Sequence, residues 1–325
     1  MDMINKVHFG KRIARLRRGL GLSQMDLAER LGVTPQAVSK WETGATLPDI
    51  ELLLELSKLY ETPINDMLEE SDWIEKLATR PFKMDEVACF VEEPAYNREW
   101  IKVLREGNWI EKNWKDDISF LGKRKKEVLD MVSACKGLVM EIGAGPGCGF
   151  MREILQVNPD VNAIITDLSP FVVKEWKRVL DRELNSPSIS YAAFNFCDIP
   201  LPDGCIDIIT DGGGIINTEE GSKEKALREA YRVLKPGGVL ITSVAFVNKE
   251  TLHALPMEAQ KVLLEKKADI FQDLYEKSVL AGFTKIDSYV TGRGYTENDE
   301  SELADLARSL GVNLELTGCL RYCYK

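Results

Sequence analysis

The sequence predicts an α/β protein preceded by a small all-α unit, and three observations carry that reading. Residues 1–70 read as short helices punctuated by turn residues. Residues 131–325 alternate apolar runs with amphipathic helical stretches, the pattern of strands and helices sharing one sheet. A length of 325 residues leaves room for two or three domains at ~100–200 residues each. Apolar residues make up 44% and charged residues 29%, a balance that permits a sizeable buried core. The net charge of −10 argues against a chain coated in polyanion or anionic lipid along its whole length, but leaves room for a local basic face. The longest strongly apolar stretch, Gly237–Val247, is about half of the ~20 residues a membrane span needs. No apolar signal-peptide core opens the chain, and seven thinly spread cysteines read as reduced thiols. A cytoplasmic location without a membrane partner is therefore expected. With only His8 and His253 present, no metal site is expected.

The first helix shows Ile13, Leu16 and Leu20 at helical spacing and stops at Gly21. Ser23 is a good N-cap for the second, because its hydroxyl can accept a free backbone N–H; Leu27, Ala28 and Leu31 continue one buried face. Gly32 stands where a left-handed turn residue is needed between two helices. Thr34 caps a third helix with Pro35 at its first position, Val38 and Trp41 face inward, and Gly44 ends it. Asp49 starts a fourth, with Ile50, Leu53, Leu54, Leu56 and Leu59 as its apolar face. This run, Leu22 to Leu68, resembles the Cro and phage-repressor (Xre-type) helix-turn-helix family over about residues 7–69. The resemblance implies a recognition helix, Thr34–Glu42, lying in the DNA major groove. Gln36 and Lys40 would face bases, and Gln24, with Ser39 more weakly, would contact phosphate. Pro35 departs from the family pattern, since its ring forms no side-chain hydrogen bond to a base. Residues 1–48 carry eight Lys/Arg against four Asp/Glu, and residues 49–70 carry one against seven. The positive charge thus lies on the half that would meet phosphate. DNA is the expected partner of residues 1–48, read by a homodimer on a palindromic site; a protein-interaction module is the alternative.

Residues 71–124 read as a helical linker or lid bearing Trp73, Trp100, Trp109 and Trp114, with a break at 92–97. The third region, residues 125–325, opens with a buried-strand pattern, Leu138–Ile142, and a glycine-rich turn, Gly143–Gly149. Glycines let backbone approach a ligand closely where a strand turns into a helix. A nicotinamide-type G-x-G-x-x-G would place its third glycine at position 148, which is Cys148. Glu141, just before the turn, suits a cationic ligand better than a phosphate. A second strand, Asn162–Thr166, ends in Asp167, where a carboxylate can accept both ribose hydroxyls of a nucleoside. A helix at 171–184, a strand at 189–196, the stretch Cys197–Asp211, a helix at 225–234 and a turn-strand at 235–241 follow.

In that order, E-x-G-x-G-x-G, the strand-two acid, LPDG-x-x-D and RVLKPGGVL resemble the class I S-adenosylmethionine-dependent methyltransferases from about residue 125 onward. The resemblance implies a Rossmann-like sheet of seven strands whose last runs antiparallel, with S-adenosyl-L-methionine as cofactor. Glu141, Gly143 and Gly145 would surround its amino-acid half, Asp167 with Leu168 beside it would hold the ribose, and Asn195 and Asp198 would flank the adenine. Asp211 and Gly212 would line the site near the sulfonium. Asn195 departs from the aspartate of many relatives.

Transfer of the methyl is an in-line displacement, so holding donor and acceptor in line is the main task. Asp211 and His253 are the candidate general bases. The stretch Asp211–Asn217 has no Pro-Pro-aromatic tetrad to stack a flipped base, and no Pro-Cys dipeptide occurs. A small-molecule acceptor is therefore expected, covered by the Trp-bearing region and by the insert around Gly294–Leu310. A transcription regulator that uses the fold only as a cofactor or metabolite sensor is the alternative. Cys319 and Cys323 share a strand face, and Cys89, Cys148 and Cys197 are expected near the cofactor edge. Converging thiolates would suit a soft acceptor, but buried structural thiols are the simpler expectation.

Overall fold

A computed structural model describes residues 6–68, 73–115, 124–184, 188–218, 221–247, 249–267, 274–298 and 302–325. It forms two compact units, Met1–Lys76 with Asn185–Ser190, and Leu77–Leu184 with Tyr191–Lys325.

The first unit contains α1 (Lys6–Gly19), α2 (Gln24–Arg30), α3 (Pro35–Glu42), α4 (Ile50–Tyr60), α5 (Ile64–Leu68) and most of α6 (Trp73–Leu77). Its helix ends follow the local chemistry of the sequence. Ser23 and Asp26 form a reciprocal capping box at the start of α2. Gly32 takes a φ of 63° between α2 and α3, Thr34 accepts the Ala37 N–H, and Asp49 accepts the Leu52 N–H. Phe9, Ile13, Leu27, Val38 and Leu56 are fully buried together. The expected inward face of α4 is only partly correct: Ile50 is 73% and Leu54 48% exposed, because α4 carries more apolar positions than its one packed stripe can take. Leu20 is likewise exposed. Gly10, in the middle of α1, lets the backbone of α3 approach. A Cβ there would lie 2.3 Å from the Trp41 carbonyl oxygen, so the ~1 kcal/mol of helix propensity that alanine offers could not be realised.

The second unit is built on one nine-stranded sheet: β1 (Lys83–Asp85), β2 (Val87–Cys89), β3 (Val139–Ile142), β4 (Ala163–Asp167), β5 (Ile189–Ala193), β6 (Ile206–Asp211), β7 (Leu234–Val247), β8 (Lys285–Tyr295) and β9 (Glu315–Tyr324). Their spatial order is β1-β2-β5-β4-β3-β6-β7-β9-β8. β3 pairs in parallel with β4 and β6, and β6 with β7. β9 runs antiparallel to both β7 and β8. The seven strands expected are therefore nine. The wholly helical reading of 71–124 is corrected with them, since β1 and β2 form a hairpin that adds to the β5 edge. Each of the two is three residues long, and β1 is exposed throughout, so neither leaves the apolar alternation by which strands are recognised.

The helices of this unit are α7 (Arg98–Gly107), α8 (Trp109–Lys115), α9 (Lys125–Ala134), α10 (Met151–Val157), α11 (Pro170–Glu183), α12 (Lys223–Val233), α13 (Lys249–His253), α14 (Met257–Lys267), α15 (Leu274–Ala281) and α16 (Glu302–Ser309). The central strands are buried along nearly their whole length, as parallel strands covered on both faces must be. Their carboxyl ends therefore provide the open edge, at Ile142, Asp167 and Asp211. The insert around 294–310 contributes Ala307 to a separate small core with Val247, Leu252, Leu263 and Leu314. Among the described residues no helix is long and apolar enough to cross a membrane.

Candidate functional site

Where β3, β4 and β6 end, the chain encloses a hollow of about 680 Å³. Its walls are largely glycine backbone, from Gly143 to Gly149 on one side and from Gly212 to Gly214 on the other. Gly143, Gly145 and Gly149 have positive φ, and so does Cys148, at 56°. The left-handed conformation thus falls at the position where the dinucleotide motif would have glycine. A Cβ at Gly145 would meet nothing within 4 Å, so that stretch of backbone is directly approachable. A Cβ on Gly212 would lie 2.7 Å from the Gly149 Cα, so the two walls touch below the hollow with no room for a side chain.

Side chains pin this loop from three directions. Gly145 N–H donates to Asp167 Oδ2 at 2.8 Å, the Trp176 indole donates to the Gly145 carbonyl at 2.7 Å, and Asn113 donates to the Pro146 carbonyl at 2.9 Å. The other Asp167 oxygen accepts the Ser169 N–H at 2.8 Å. A carboxylate has about four lone-pair positions, so acceptor capacity remains on Asp167, which lines the hollow. Burial pushes its carboxyl up to about 6 against the backbone N–H groups that favour the charged form.

Of the residues expected around a cofactor, Gly143, Gly145, Asp167, Leu168, Asn195 and Gly212 line the hollow together. Glu141, Asp198 and Asp211 do not. Glu141 is fully buried beneath Gly149, whose Cβ, if it had one, would lie 1.8 Å from Glu141 Oε1. Its carboxyl accepts from Thr210 Oγ1 at 2.6 Å and from the N–H groups of Met151 and Gly212 at 3.3 Å each. Burial pushes Glu141 up to about 8, with the nearby Asp211 adding to the rise. Asp211, also fully buried, takes hydrogen bonds from Thr242 Oγ1 at 2.6 Å and from Gly213 and Ile215 N–H at 3.1 Å; burial raises it too. Asp198 is exposed and paired with Arg80 at 2.5 Å. His253 is exposed at the end of α13 and is not among the lining residues.

Asn97, Trp100, Phe196, Asn217, Thr218 and Ser222 complete the walls. None was singled out from spacing, although Trp100 belongs to the region expected to cover the edge; among the described residues, none of the 294–310 insert lines the hollow. Cys197 is at the wall, Cys148 is buried beside it with its thiol raised by burial, and Cys89 lines a different cleft. Cys319 and Cys323 are buried in β9. Among the described residues no cluster of His, Cys, Asp or Glu could hold a metal ion.

In the first unit, Gln36 and Lys40 are exposed one turn apart on α3, and Ser39 is half-buried. Gln24 Nε2 donates to Glu42 Oε2 at 2.7 Å. The same carboxylate receives Arg17 through Nε at 2.7 Å and Nη2 at 2.9 Å. This nearly buried two-point pair fixes the ends of α1, α2 and α3 relative to one another.

Comparison with known proteins agrees with both units. A helix-turn-helix family model matches residues 13–67, and a methyltransferase-domain model matches residues 140–242. Residues 13–67 are thus similar to helix-turn-helix segments, and residues 140–242 to methyltransferase domains. The chain is 32% identical over 118 residues to the ubiquinone/menaquinone biosynthesis C-methyltransferase UbiE of Citrobacter koseri, covering 36% of this chain and 46% of that protein. To the UbiE of Pectobacterium carotovorum it is 33% identical over 103 residues, or 32% of this chain and 40% of that one. The chain therefore spans less than half the length of these relatives. A solved phosphoethanolamine N-methyltransferase 2 from Haemonchus contortus overlaps 62% of this chain and 52% of its own at 18% identity, with a TM-score of 0.44.

Glu141 lies above the ordinary 4.5 of a glutamate in the fold, so between those values the folded state holds the extra proton. Its contribution to stability is complete below about 4.5 and is lost as pH rises toward about 8. Glu141→Gln keeps the shape and removes the titration. In a melting series from about pH 5 to pH 8, the variant should lose less melting temperature than the wild type.

Proposed function

We propose that this chain is an S-adenosyl-L-methionine-dependent methyltransferase acting on a small molecule, tied to a DNA-binding unit that reads sequence through α3. The observation that carries the reading is the glycine-walled hollow at the strand tips, with one carboxylate, Asp167, facing into it. The cradle fits a nucleoside cofactor: its glycines leave backbone exposed where a side chain would block entry, and Asp167 keeps free acceptor positions. Asp167 would take the ribose hydroxyls, with Leu168 and Asn195 beside the base and Gly143, Gly145 and Gly212 along the amino-acid half. When bound, the cofactor supplies a methyl group on a positively charged sulfur.

The chain's own contribution is placement. Asp211 turns its carboxyl into Thr242 and two backbone N–H groups, and His253 stands away from the walls, so neither supports a general-base role. Holding the acceptor in line and excluding water remain, and these can supply a large part of a displacement's acceleration. Trp100, Asn217 and Thr218 offer a ring face and neutral hydrogen-bonding groups to such an acceptor. The segment after β6, Gly212-Gly213-Gly214, lacks the Pro-Pro-aromatic tetrad of enzymes that methylate amino groups of an extruded base, which favours a small molecule over DNA. The similarity to UbiE proteins, named as C-methyltransferases of ubiquinone and menaquinone biosynthesis, supports this reading. We assign DNA contact to Gln24, Gln36, Ser39 and Lys40, two copies of the chain to a palindromic site, catalysis to residues 125–325 and the cover to 71–124. A cytoplasmic setting, where the seven cysteines stay reduced, is part of the proposal.

Calorimetric titration with S-adenosylhomocysteine should show one site per chain, weakened at least about tenfold in Asp167→Ala, since a hydrogen-bonded charged group contributes ~1.5–3 kcal/mol. A wild-type chain that binds neither this compound nor the cofactor would exclude the enzyme. For the other unit, Lys40→Ala should weaken binding to a selected operator and lower the salt slope by about one if Lys40 meets phosphate. Unchanged operator affinity in a Gln36→Ala, Lys40→Ala double variant would remove α3 as the reading helix.

A further inference from the structure

We propose that Glu93 is a positioning residue that locks the cover carrying Asn97 and Trp100 to the strand tip carrying Asp167. This rests on the nucleoside-cofactor reading of the hollow.

Glu93 lies in the turn between β2 and α7, and the two ends of its carboxylate serve two different segments. Oε2 accepts from Ser169 Oγ at 2.8 Å and from Phe171 N–H at 3.1 Å. Both donors belong to the start of α11, where an anion is favoured by the free N–H groups and the helix dipole. Ser169 is the N-cap of α11, and its own N–H donates to Asp167 Oδ1 at 2.8 Å. Oε1 accepts from Asn97 Nδ2 at 3.0 Å. Asn97 is the N-cap of α7, and Asn97 and Trp100 both line the hollow. One carboxylate thus bonds directly to a wall residue, Asn97, on one side and reaches Asp167 through Ser169 on the other. Hydrogen bonds to an ionised acceptor are roughly twice as strong as neutral ones, so Glu93 is suited to hold two otherwise separate segments in register.

The same placement gives Glu93 an electrostatic effect. Among the described residues, the titratable groups that interact with Asp167 are Glu93, from the β2–α7 turn, and Cys148, from the glycine loop. Burial keeps the Cys148 thiol neutral by raising it well above its ordinary value. After burial, the Glu93 carboxylate raises the Asp167 carboxyl further. A protonated Asp167 loses acceptor capacity, so affinity for a ribose should fall as pH drops through its midpoint. Removing the Glu93 charge should move that midpoint down. A residue that only maintained the fold would not move it.

The test titrates S-adenosylhomocysteine into the full chain from about pH 5 to pH 8, using wild type, Glu93→Gln, Ser169→Ala and Asn97→Ala. Wild type should lose affinity below a midpoint near 6. Glu93→Gln should bind about tenfold more weakly at the high-pH plateau, with its midpoint displaced to lower pH. Ser169→Ala and Asn97→Ala each cut one arm and keep the charge, so each should lose about threefold at an unmoved midpoint. Asn97→Ala carries the test if Glu93→Gln does not fold. Wild-type affinity in Glu93→Gln, an unmoved midpoint in that variant, or full affinity in Asn97→Ala would overturn the proposal. Failure of the wild type to bind at any pH would instead overturn the cofactor reading beneath it.

Discussion

The buried carboxyl of Glu141 is the knot on which the open edge of the sheet depends. It stands at the end of β3 and collects Thr210 from β6, the Gly212 N–H from the segment after β6, and the Met151 N–H from the start of α10. The end of β6 and the start of α10 are thereby fixed to the end of β3 at one point. Gly149 closes over it, and only a glycine leaves space for the carboxyl oxygen there. A polar group buried without partners would cost more than the fold could spare; with three donors and a retained proton, Glu141 is satisfied without a counter-ion. The glycine walls meet below the hollow because this acid holds them, and the hollow exists because they meet.

The second acid, Asp167, has a different task. It also holds the loop, through Gly145, but one face stays open to the hollow. The two carboxyls therefore divide support from recognition rather than jointly facing a ligand. The same economy recurs in the N-terminal unit. There Glu42 ties Arg17 and Gln24 across three helices and leaves Gln36 and Lys40 exposed on α3. In both units a buried or half-buried acid arranges the scaffold, and neighbouring residues meet the outside.

What the sequence could reveal follows from the range of each interaction. Helix ends at Ser23, Thr34 and Asp49 and the turn at Gly32 were legible, because a cap or a left-handed glycine is set by residues three or four apart. The strands β3, β4 and β7 were legible because burial on both faces gives each a run of apolar residues. The β1–β2 hairpin was not, since an edge strand of three exposed residues has no pattern to betray it. Ile50 and Leu54 show the reverse limit: helical spacing names a face without saying how much of it finds a partner. Glu141 was recognised as near the glycine turn, but whether it pointed into the hollow or under it depends on Thr210 and Gly212, some seventy positions away. Glu93 and Asn97 belong to no motif, and only the folded chain brings them to the site.

The central claim is that Asp167 receives a nucleoside in the glycine-walled hollow while Glu141 remains beneath it. A crystal structure of the full chain grown with S-adenosylhomocysteine tests this most directly. The account predicts both ribose hydroxyls within hydrogen-bonding distance of the Asp167 carboxylate, with Glu141 still bonded to Thr210 under Gly149. A nucleoside bound elsewhere, or a ribose that leaves Asp167 untouched, would contradict it.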